Sequence, residues 1–102
     1  MVKFLEVFNK HFEKLESYVP VVARVHGGTH PEFHDVKRVY ETIKGKIKEE
    51  SSESLSLLNE LEELRSITDN YTVPDDVCVT YEAIYNMLKE IDDTFIRFCT
   101  FA

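Results

Sequence analysis

No apolar run in this chain approaches the ~20 residues that a membrane-spanning helix needs. The opening, MVKFLEVFNKHF, alternates charge with apolar residues and lacks the uninterrupted apolar core of a secretory leader. Cysteine is scarce. Cys78 and Cys99 form neither a CxxC pair nor a zinc spacing, and they do not suggest a secreted disulfide scaffold. The expected setting is a reduced cytoplasm. Cations are scarce in one half only. Residues 1–50 carry nine Lys/Arg against eight Asp/Glu, whereas residues 51–102 carry three against eleven. The formal net charge of -7 argues against a nucleic-acid footprint and against docking on anionic lipid. The acidic half reads first as a solvated helix face, and second as a docking surface for a basic protein partner. Motifs of catalysis are missing too: there is no Gly-rich phosphate loop, no GxSxG and no paired-acid motif. The expectation is that the protein is not an enzyme.

What is present is helical periodicity. Apolar residues make up 43% of 102 residues, enough for one core in one domain spanning 1–102. Leu5, Phe8, Phe12, Leu15, Val19 and Val22 recur in steps of three and four, one face of a helix. Pro20 predicts a kink or break there. The glycines of HGG predict a left-handed helix cap. A second stripe is Phe33, Val36, Tyr40, Ile43 and Ile47, entered through a Thr29–Glu32 capping box with Pro31 in the first turn. A third is Leu57, Leu58, Leu61 and Leu64, flanked by Leu55 and Ile67. The fourth is Val77, Tyr81, Ile84, Leu88, Ile91, Phe95 and Phe98. No segment alternates as a strand does. The spacing predicts helices over 3–26, 30–48, 52–68 and 75–99, closing as an all-α, antiparallel up-down-up-down four-helix bundle. The residues expected to point inward are Leu5, Phe8, Phe12, Phe33, Val36, Ile43, Leu61, Leu64, Tyr81, Ile84, Leu88 and Ile91. The tail TFIRFCTFA is apolar on more than one side, so it should pack on the first helix or form a homodimer.

Helix bundles host metals, and the stretch RVHGGTHPEFHD holds three of the four histidines. His30 and His34 stand one turn apart, and His26 ends the first helix. With Glu32, or Asp35, as a further ligand, these residues are the candidate metal site: His26, His30, Glu32 and His34. The commoner case for such a stretch is a polar inter-helix turn. No Glu-x-x-His or His-x-x-x-Glu exists, and no histidine follows His34. Cys78 is expected to be a buried structural cysteine. Glu60, Glu63, Glu82 and Glu90 are expected to face solvent.

Two blocks carry a resemblance. VVARVHGGTHPEF, and the run from Thr68 to Tyr85 with Pro74, Cys78, Thr80, Tyr81 and Tyr85 in place, resemble the hemerythrin-like domain of the iron–sulfur cluster repair (RIC) proteins. The resemblance implies a hemerythrin-like four-helix bundle. It also implies a non-haem di-iron centre acting in nitrosative or oxidative stress. That centre would take a histidine from helices one and three and a His-x-x-x-Glu from helices two and four. Here the corresponding positions fall near Ser54, Phe98 and Ala102, helix two offers KGKIKEESS, and His11 stands out of register. The chain therefore reads as a short relative without the expected iron ligands, with a binding or regulatory role, or none at present. The alternative is a metal-dependent repair factor whose iron site is rearranged or shared across a dimer.

Overall fold

The computed structural model describes residues 2–49 and 56–101, with side chains described over 4–49 and 56–97. The order is α1 (Val2–His26), α2 (Glu32–Glu49), α3 (Leu58–Thr68) and α4 (Val79–Phe101), and no described residue lies in a strand. The four helices pack as an all-α bundle around one apolar cluster.

Helix α1 lies antiparallel to α4. Phe4, near the start of α1, meets Phe95 edge-on with ring centroids 5.1 Å apart. At the other end, His26 stands edge-on to Tyr81. Burying each such ring contributes about 1.5–3 kcal/mol, so these contacts fix the pairing of the two longest helices. Phe95 therefore packs on the first helix, one of the two outcomes expected of the tail. The side chains of Phe98, Cys99 and Phe101 lie outside the described residues. Helix α2 returns along α1, where Tyr40 Oη donates to Glu16 Oε1 at 2.9 Å and Lys44 Nζ meets the same carboxylate at 2.7 Å. Helix α3 crosses to α2 through Arg38–Glu63 and Lys46–Glu60.

Ten of the twelve residues expected inside are buried, while Leu5 and Phe12 are only half-covered at the edge of the cluster. Leu58 is exposed, because Leu57 takes the inward place at the start of α3. Helix α1 runs unbroken through Pro20, which sits on its solvent face. Water can solvate the one carbonyl that proline leaves without a helical partner. The expected left-handed glycine cap is absent, since neither Gly27 nor Gly28 has positive φ. Gly27 is required for space instead: a Cβ there would stand 2.3 Å from the Ala23 carbonyl and from the His34 ring. The capping box does not close either. Thr29 Oγ1 donates back to the His26 carbonyl, and Glu32 turns to His30. The expected start of the third helix at 52 lies outside the described residues; the described helix begins at Leu58.

The fourth helix begins at Val79 rather than near 75, and the end of α3 explains why. Asp69, Asn70 and Tyr71 all adopt left-handed φ, at 52°, 57° and 63°. Asp and Asn tolerate this region; a bulky Tyr does so only when its surroundings insist. The chain then runs back along α4, because Tyr71 reaches Asp92 whereas Asp76 reaches His30, beside Tyr81. From Tyr81 to Asp92 a helix rises about 16 Å. An extended chain from Tyr71 to Asp76 spans about 17 Å. This strap covers that length of α4 and cannot also be helix.

Candidate functional site

Two polar clusters hold the strap. The first is centred on Asp92, which is 2% exposed although charged. Tyr85, Leu88 and Asp92 follow one another at helical spacing, so the carboxylate stands on the edge of the apolar stripe of α4. Arg65 of α3 answers it in a fork: Nε donates to Oδ2 at 2.8 Å and Nη2 to Oδ1 at 3.2 Å. Tyr71 Oη donates to Oδ2 at 2.7 Å. Thr68 completes the corner. Its Oγ1 donates to the Leu64 carbonyl at 2.7 Å and accepts the Tyr71 amide at 2.8 Å. The hydrogen bond to Asp92 raises the Arg65 pKa despite partial burial. Burial first, then the carboxylate, pushes the Tyr71 phenol far up. Both groups keep their protons at any ordinary pH. The cluster can hold the chain in place.

The second cluster is centred on His30 in the turn between α1 and α2. Its Nδ1 meets Glu32 Oε2 at 3.0 Å and its Nε2 meets Asp76 Oδ1 at 2.9 Å. An imidazole facing carboxylates at both nitrogens donates twice only when protonated. Partial burial lowers the His30 pKa, but the hydrogen bonds to Glu32 and Asp76 more than reverse this, and the net shift is upward. The ring rests on Tyr81, whose hydroxyl lies 3.1 Å from that of Tyr85 inside the bundle.

Of the candidate metal residues, His30 and Glu32 come together, as an ion pair. His26 shares Tyr81 with His30 as an edge-on neighbour. His34 is exposed and lies against Gly27. The four do not converge on one point. Among the described residues no group of three or more His, Cys, Asp or Glu is placed to hold a metal ion. His11, on α1, is bound to Glu90 of α4 at 2.6 Å, with Lys10 also at that carboxylate.

The inward residues do not fit the di-iron centre that the resemblance implies. Such a centre needs several oxygen and imidazole ligands aimed at one point in the core. The largest fully buried side chains here are Tyr40, Tyr81, Tyr85, Phe4, Phe33 and Phe95. The one fully inward carboxylate among the described residues, Asp92, is already matched by a cation and a phenol.

Sequence reasoning missed Arg65, Tyr71 and Asp92. The available signals were an acid in register with an apolar stripe, and a Thr-Asp-Asn-Tyr helix end with no glycine to turn it. Two other expectations are corrected. Cys78 is exposed, because α4 starts after it and the strap carries it outward. Glu60 is largely covered beneath Lys46, and its Oε1 has no partner among the described residues. Glu63, Glu82 and Glu90 are exposed as expected. No helix among the described residues is long and apolar enough to cross a membrane.

Compared with known proteins, the chain is 24% identical over 121 aligned positions to the iron–sulfur cluster repair protein ScdA of Staphylococcus haemolyticus (strain JCSC1435). The alignment covers 88% of this chain and 54% of ScdA, so the chain spans about half the length of that relative. The relationship is distant. No family model matches the chain, and no solved structure does.

Proposed function

We propose that this chain is a small, non-enzymatic helical-bundle protein of the cytoplasm that binds or regulates within iron–sulfur cluster repair, without a di-iron centre of its own. The observation that carries the reading is the chemistry of the interior. Where a metal-bearing bundle turns acids and imidazoles inward, this one turns in tyrosine, phenylalanine and aliphatic groups, and neutralises Asp92 with Arg65 and Tyr71. The likeness to ScdA supports the setting of cluster repair. The acidic second half supports a basic protein partner, with Glu62, Asp69, Asp75, Glu82 and Asp93 all exposed.

Elemental analysis after expression in iron-replete medium tests this directly. The reading expects folded protein with iron far below one atom per chain. Stoichiometric iron, lost on changing residues of α3 or α4, would replace it with a metal-dependent repair factor whose site is rearranged or shared across a dimer.

A further inference from the structure

The three cationic side chains of the acidic half are Arg65, Lys89 and Arg97. All three line one cleft of about 590 Å3 beside the end of α3 and the outer part of α4. Cations serving only to balance eleven acids would be spread among them. Here they converge, and the strap's Tyr71 and the half-exposed Ile96 supply apolar surface between them.

The geometry leaves hydrogen-bond donors to spare. Asp92 occupies Nε and one Nη2 hydrogen of Arg65. The guanidinium has five such hydrogens, and the side chain remains about one-third exposed, at 34%. Asp93, also at the cleft, meets Lys89 at a loose 3.4 Å. Arg97 is in no ion pair among the described residues. Arg65 matches Asp92 and Lys89 stands beside Asp93, so the cleft carries one cation in excess, Arg97, inside a chain of net charge -7. The volume falls in the range of sites for small organic molecules, roughly 300–1,000 Å3.

We propose that this cleft binds a small organic anion, a phosphate or carboxylate group on an aromatic or apolar body. Arg97 and the free edge of Arg65 hold the charge, and Tyr71 and Ile96 flank the body. This assignment is independent of the reading of iron above.

The test is a 15N-NMR titration of the full chain with phenyl phosphate and with benzoate at millimolar concentrations, repeated at raised salt. The expected result is a saturable shift of amides around Asn70, Tyr71 and Arg97 with at least one of the two anions, weakened by salt. Arg97→Gln should weaken binding about tenfold, the effect of removing one charge-assisted hydrogen-bonding partner. Lys14→Gln, on α1 and outside the cleft lining, should leave it unchanged. If Arg97→Gln lowers the thermal melt, Lys89→Gln serves as the second variant and should weaken binding by a smaller factor. No saturable shift with either anion overturns the proposal. So do shifts centred on Lys10 and Lys14, or binding indifferent to both cleft variants.

Discussion

The two ends of the strap are held by the same kind of pair, a carboxylate with a nitrogen cation, but in opposite surroundings. At Asp92 the carboxylate side chain is 3% exposed, and its partners keep their protons at any ordinary pH. At His30 the carboxylates are open to water, with the Asp76 side chain 70% exposed, and the cation is an imidazole that can lose its charge near neutrality. Burial makes the first end permanent and makes its loss costly, because a stranded buried charge or hydroxyl has no water to turn to. Exposure makes the second end cheap to break and sensitive to pH.

The largest effect expected of a single change is at the buried end. Asp92→Ala removes the partner of both Arg65 and Tyr71, and should lower stability by about 2–4 kcal/mol in urea unfolding. A loss as small as that of an exposed ion pair would mean that the cluster is not closed to water. Gly27→Ala comes next. Its new methyl meets the Ala23 carbonyl, which is backbone and cannot swing aside, as well as the His34 ring. A loss of about 1–3 kcal/mol in the same measurement is expected. Tyr71→Phe keeps the ring and deletes the hydroxyl on Asp92, and should lose about 1–2 kcal/mol in the same measurement.

His30→Gln probes the exposed end, where the effect should depend on pH. The folded chain raises the pKa of His30. Its contribution is therefore full below the unfolded value of about 6.5 and fades as pH rises through the higher folded value. Thermal melts of wild type and His30→Gln should differ most below that unfolded value and converge at alkaline pH. A constant gap across the range would show that the imidazole acts by packing on Tyr81 and not by charge. Gly45→Ala lies away from both ends. The site has open space and ordinary φ, so the change should stabilise the chain by about 0.4–1 kcal/mol.

The helices were legible because burial imposes a period. Phe33, Val36 and Ile43 are inside because they share a face of α2, and no tertiary information is needed to see it. The same logic placed Tyr81, Ile84, Leu88 and Ile91. The strap was not legible, because it depends on a partner far along the chain. Thr68 accepts the Tyr71 amide locally, but the group that anchors the Tyr71 hydroxyl, Asp92, lies 21 residues further on. At Pro20 the helix is not broken, since the proline sits on the solvent face, and Gly27 serves close approach where a cap was expected. At the histidine stretch, residue types suggested metal, whereas the structure brings His30 to Glu32 and Asp76 and leaves His26 and His34 apart from them.

Asp92 is matched by Arg65 and Tyr71, and the interior is proposed to be completed by the chain's own groups without iron. Thermal unfolding of the full chain, in a strong chelator and then under anaerobic excess of ferrous iron, tests it most directly. A cooperative melt in chelator, with a midpoint that iron does not move, is expected. A melt that is broad or absent in chelator and rises with stoichiometric ferrous iron would contradict it.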